Sequence, residues 1–192
     1  MPKQVDATAQ RSEIRDAARR VFSSLGVEGT GLTHVAREAG MGRSSLYHYY
    51  PDKAALLDDL MREALEQESL LFRTCLRGVG GARERLDSLI DASVAMFEDW
   101  AAVGRMLLDF RLRDATRFGR YFEQIREELA RALREGQLAG EIDATLNPTL
   151  TAAVLIGAID GLLLQHFLDP EALDPEALRL ELRRVATQAT AR

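Results

Sequence analysis

Between Arg43 and Tyr49 the chain carries an arginine, two serines, two tyrosines and a histidine, and no carboxylate. These are hydrogen-bond donors and flat ring faces, the groups that engage phosphate oxygens and the edges of bases. Leu46 and Tyr50, four apart, fall on the other side of a helix and read as its anchor. Lys53, one of two lysines in the chain, follows in the first turn of the next helix. A cation there works against the helix dipole, so its placement favours an external anion such as phosphate.

Such a helix needs a rigid support. From Arg11 onward, Ile14, Ala17, Ala18, Val21, Phe22 and Leu25 recur at the helical period and stop at Gly26, with Arg15, Arg19 and Arg20 left outward. After a Gly-rich connection, Leu32, Val35, Ala36 and Ala39 predict a short helix that ends at Gly40. A third runs from Arg43 to about Tyr50, and Pro51 opens a fourth that continues towards Leu76. Two short helices around Gly40-Met41-Gly42, braced by a longer one, form a helix-turn-helix pattern. Such a scaffold holds a helix out to enter the major groove of DNA.

The stretch Thr30-Gly-Leu-Thr-His-Val-Ala-Arg-Glu-Ala-Gly-Met-Gly-Arg-Ser-Ser-Leu-Tyr-His-Tyr-Tyr-Pro-Asp-Lys-Ala-Ala-Leu56 resembles the signature of the TetR family of bacterial transcriptional regulators. The resemblance implies that Thr33 reaches a base edge and that Arg43, Ser44 and Ser45 begin a recognition helix. It also implies that Tyr47, His48 and Tyr49 contact phosphates and bases, and that Lys53 binds a phosphate. The departures are Gly31 where a second Thr is frequent, Gly42 where Ser is frequent, Ser44 where Gly is common, and Tyr49 in a place often held by His. His34 reads as a surface residue.

The rest of the chain is helical too, so the fold class is all-α with about nine helices. A DNA-binding head is expected at 1–53 and a ligand-binding and dimerisation domain at 54–192. Gly78-Val79-Gly80-Gly81 is the clearest interior break, followed by helices near 82–99, 101–113 and 115–135. A loop at 136–147 leads to an apolar helix, Pro148–Leu168, and a last helix, Pro175–Ala189. Leu155, Gly157, Gly161 and Leu162 on the former, and Leu178, Leu182 and Val185 on the latter, are expected at a homodimer interface. Small residues there allow close helix approach in a four-helix bundle, as the resemblance also implies. Between head and bundle, Phe97, Trp100, Met106, Phe110, Phe118, Tyr121 and Phe122, with His166, predict either plain core or an apolar pocket. The resemblance favours the pocket, and with it a small-molecule effector. A dimer would present two such helices to a palindromic operator in double-stranded DNA, and repression relieved by the ligand is the default mechanism.

Composition narrows the alternatives. Of 192 residues 46% are hydrophobic and 29% charged, enough for a real core. Residues 1–50 hold seven Lys/Arg against five Asp/Glu, and residues 51–192 hold 18 against 25. The head is therefore mildly basic and the body acidic, unlike an architectural protein that coats DNA. A DNA-binding regulator or architectural protein without small-molecule control stays open as the alternative, the acidic body counting against the architectural form. One cysteine, Cys75, fits a reducing, cytoplasmic setting and reads as buried and inert. Asp160, Gln165 and His166 interrupt the apolar helix, so no membrane association is expected. G-x-S-x-G, H-E-x-x-H, G-x4-G-K-S/T, C-x-x-C and E-x-x-H are all absent, so no catalytic residue, metal or cofactor is expected. His166 and Asp169 share a helical face, but two ligands make a poor metal site. Asp58/Asp59 and Glu127/Glu128 read as solvated charge on outward faces.

Overall fold

A computed structural model describes residues 7–100, 115–169 and 171–191, with side chains at all of these except 97–100 and 115. The described residues form eight helices and no strand: α1 Ala7–Leu25, α2 Leu32–Glu38, α3 Arg43–Tyr49, α4 Lys53–Leu76, α5 Ala82–Trp100, α6 Ala115–Ala139, α7 Pro148–Leu168 and α8 Pro175–Thr190. The helix expected near 101–113 lies outside the described residues. Contacts divide the chain into two units, Met1–Ala64 and Leu65–Arg192. The division falls inside α4, beyond residue 53 and short of the glycine-rich break at 78–81.

In the first unit α1 packs on α2 and α2 on α3. Ile14, Ala17, Ala18 and Phe22 of α1 meet the same small core as Val35, Ala36, Leu46, Tyr50 and Leu56, all of them buried. The two short helices would not persist alone in water, so this burial is what maintains them. Gly40 takes a φ of 65°, the left-handed conformation that ends α2 without the cost a Cβ would add. The chain then turns directly, and Met41 N–H donates to Ala36 O at 2.9 Å.

In the second unit α6 runs along α7 and α5 along α8. Both C-terminal helices start as the sequence demands. Asn147 and Asp174 each accept from two backbone N–H groups of the first turn, and Pro148 and Pro175 follow at positions whose N–H needs no partner. Gly136, expected to begin a loop, lies within α6. A Cβ there would stand 2.5 Å from the Ala82 methyl and 2.6 Å from Ile142 Cγ1, so its absence lets the start of α5 close on α6. The chain end is tied in as well: Asp143 N–H donates to Thr190 O at 3.1 Å, and Thr190 is buried. α7 is long and apolar enough in composition to cross a membrane, yet little of it is buried within this single chain. Leu150, Val154 and Leu168 of α7 and Leu180 and Val185 of α8 are exposed.

Candidate nucleic-acid interface

Thr33, Arg43, Ser44, Ser45, Tyr47 and His48 are all exposed, while Leu46 between them is fully buried. The structure thus gathers the expected contact residues on the outer side of α2 and α3 and seats the anchor inward. The Arg43 guanidinium lies 5.7 Å from the centre of the Tyr47 ring, so the two present a cation and a ring face together. Tyr49 is half-buried, with the Arg11 guanidinium 6.0 Å from its ring centre.

Lys53 is placed less simply. Its ammonium donates to Val27 O and, at 2.8 Å, to Thr30 O. Thr30 Oγ1 in turn donates to Gly26 O at 2.8 Å. An ammonium has three N–H donors, so two of them staple the loop before α2 to the start of α4, and the third has no partner among the described residues. His34, read as a surface residue, plays a structural part. Its Nδ1 accepts the Gly31 N–H at 3.2 Å and so caps the start of α2.

A second finding corrects the reading of Arg15, Arg19 and Asp59 as outward, solvated groups. Asp59 is 8% exposed and accepts from Tyr50 Oη at 2.5 Å, from Arg15 at 3.1 Å and from Arg62. Arg15 also pairs with Glu63 at 2.8 Å, and Arg19 pairs with the same carboxylate. Arg11 covers the Tyr50 ring at 4.9 Å from its centre. Burial alone would push the Asp59 carboxyl up, but hydrogen bonds from Tyr50, Arg62 and Arg15 outweigh it and hold the group below the usual carboxylate range. Burial, then Asp59, pushes the Tyr50 hydroxyl up. Arg15 stays charged because Asp59 and Glu63 outweigh the cost of its burial. The sequence signal was present in Arg11, Arg15 and Arg19 at spacing four on α1, opposite Asp59 and Glu63 at spacing four on α4.

In the second unit the aromatic cluster is only partly joined. Tyr121 and Phe122 meet edge to face at 5.3 Å and line a cavity of about 30 Å³ with Phe72, Met96, Ile156 and Leu163. Ser93 and Glu68, which sequence reasoning missed, and Asp160, read only as an interruption of the apolar helix, line it too. Phe118 is buried against Tyr121 and His166 is buried, but neither is among the lining residues. Met106 and Phe110, and the side chains of Phe97 and Trp100, lie outside the described residues. Of the expected interface residues, Leu155 and Leu182 pack against Ile90, Val94 and Ala186 of their own chain. Gly157 and Val185 are exposed, and Gly161, Leu162 and Leu178 are half-buried. Burial first, and then Asp91, pushes the Cys75 thiol up, away from the reactive thiolate. Among the described residues no three His, Cys, Asp or Glu side chains group closely enough to hold a metal ion.

Comparison with known proteins agrees with this geometry in both units. Residues 14–60 match the model of bacterial regulatory proteins of the tetR family, and residues 82–191 match that of the BetI-type transcriptional repressor C-terminal region. The chain is similar to the HTH-type transcriptional regulator UidR of Escherichia coli, with 24% identity over 83% of each protein. It is also similar to the HTH-type transcriptional regulator BetI of Vibrio campbellii, with 24% identity over 94% of this chain and 92% of that one. Among solved structures, the transcriptional regulator FadR from Bacillus subtilis in complex with stearoyl-CoA superposes with a TM-score of 0.70. It is 20% identical, over 94% of this chain and 99% of that one.

Proposed function

The chain belongs to the tetR family of bacterial regulatory proteins and is a DNA-binding transcriptional regulator, and from that premise we propose that it works as a homodimeric repressor of a palindromic operator, acting in the cytoplasm. The observation that carries this reading is the division of α3 into an exposed set, Arg43, Ser44, Ser45, Tyr47 and His48, and a buried anchor, Leu46. Arg43 and Tyr47 read base edges, assisted by Thr33. Ser44, Ser45, His48, Tyr49 and the third N–H of Lys53 hold phosphates and fix the register. The exposed apolar faces of α7 and α8 meet their copies in a four-helix bundle, which sets the two recognition helices at half-sites about 34–36 Å, or a multiple, apart. A small apolar or amphipathic effector enters beside Tyr121 and Phe122 and favours a state with a different head spacing, which weakens DNA binding.

The small size of that cavity, about 30 Å³, favours a second reading, in which the protein regulates without a small molecule there. Selection of sites from a random duplex library separates the first premise from the second. The wild type should enrich an inverted repeat and Tyr47→Ala should not. Enrichment of no motif, or of the same motif by both proteins, would remove the DNA-reading role from α3. Repeating the selection with apolar compounds present should release the repeat, and release by none favours the second reading.

A further inference from the structure

A cavity of ligand size in the second unit lies apart from the aromatic cluster. A groove of about 750 Å³ lies between the last turns of α4 and the middle of α6, within the range of about 300–1,000 Å³ in which small-molecule sites fall. Its floor is apolar, since Phe72, Leu76 and Ile125 line it and are buried. Its rim carries five arginines, Arg73, Arg77, Arg126, Arg131 and Arg134, against three glutamates, Glu123, Glu127 and Glu128. This concentration of cations stands in a stretch, residues 65–192, that holds 16 Lys/Arg against 21 Asp/Glu.

Two of the five are already engaged. Glu128 accepts from Arg77 at 3.1 Å and from Arg131 at 3.1 Å, and Arg131 also reaches Glu135 at 2.5 Å. These pairs hold the Glu128 carboxyl below its ordinary range, the hydrogen bond from Arg77 contributing most. The others are not engaged in this way. Arg73 Nε donates at 3.1 Å to the Ser69 carbonyl of its own helix, and its terminal nitrogens meet no carboxylate among the described residues. Arg126 and Arg134 make no ion pair among the described residues. Arginines with a purely structural part would be spent on carboxylates, as Arg77 is across to α6 and Arg131 is within α6. Planar guanidinium forks over an apolar floor suit a carboxylate or phosphate that carries an apolar part.

We propose that this groove is a ligand site for a small organic anion, its carboxylate or phosphate set among Arg73, Arg126 and Arg134 and its apolar part laid on Phe72, Leu76 and Ile125. The site is distinct from the effector site proposed beside Tyr121, with Phe72 and Ile125 lining both cavities.

Binding of four probes that share a six-carbon chain (hexyl phosphate, hexanoate, hexanol and hexylamine) to the full-length protein tests this by ligand-observed NMR. The phosphate, the carboxylate or both should bind, and the alcohol and amine should not. The pattern between the two anions identifies the head group. Arg126→Gln with Arg134→Gln should weaken the anions by at least about tenfold. Both side chains are on the rim, and an unchanged thermal unfolding curve will show that the variant folds. Equal binding of all four probes, no binding of either anion at millimolar concentration, or unchanged binding by the double variant would each overturn the proposal. Loss in Arg43→Ala but not in the double variant would place the anions on the DNA-binding face instead, with the same consequence. None of these outcomes bears on operator recognition, so the two proposals fail separately.

Discussion

Asp59 governs the interior of the first unit through its proton. Its folded-state pKa lies below the ordinary value, so the stability it contributes is present in full above about pH 4 and is lost as pH falls through the lower folded value. Tyr50 acts with the opposite sign: its raised value favours the neutral hydroxyl, and that contribution is lost as pH rises above about 10. Asp59→Asn should cost about 1–3 kcal/mol at neutral pH and flatten the acid limb of stability. Urea unfolding of both proteins across the acid range measures this, and parallel profiles would count against the assignment. None of this was legible residue by residue. Arg15 and Asp59 lie 44 positions apart, and each alone has the pattern of a solvated charge. The split of α3 into an exposed side and a buried anchor was legible because Arg43, Ser44, Ser45, Tyr47 and His48 alternate with Leu46 and Tyr50 within two turns of one helix.

Whole helices were mostly readable from their own sequence, since capping and periodicity are local. Asn147-Pro148 and Asp174-Pro175 marked the starts of α7 and α8 to the residue. Gly136 misled for an instructive reason. A glycine near the end of a periodic run reads as a stop, but here it answers to Ala82 of another helix. Gly136→Ala should therefore destabilise the protein by about 1–2 kcal/mol, because overpacking outweighs the helix propensity that alanine adds. A rise in midpoint on thermal unfolding would show that α5 and α6 yield at this point. The arginine groove escaped the sequence for the related reason that its rim is assembled from two helices some fifty residues apart, each of which alternates charge like an ordinary solvated face.

For the molecule as a whole, α7 and α8 together carry five exposed large apolar residues, Leu150, Val154, Leu168, Leu180 and Val185. α7 is apolar nearly all round, so periodicity could not say which side meets its own chain. The structure turns Leu155 inward onto Ile90 and Val94 and leaves Val154 69% exposed. Val154→Asp should leave the fold intact and shift the protein to monomer in sedimentation, with loss of cooperative binding to an inverted repeat. A dimer that survives the charge would place the interface elsewhere. Fold class was legible at this scale, because every segment repeats at the helical period. The partition between units was not, since no loop marks it. α4 passes uninterrupted from residue 53 to residue 76, and the division after Ala64 falls in mid-helix. A boundary inside a continuous helix offers no loop at which to end a fragment. A head fragment ended at residue 53 would strip Tyr50, Arg15 and Arg19 of the carboxylates of Asp59 and Glu63. Chimeras that exchange heads between relatives must be spliced within α4 beyond Glu63, so that the graft brings its own counter-charges with it.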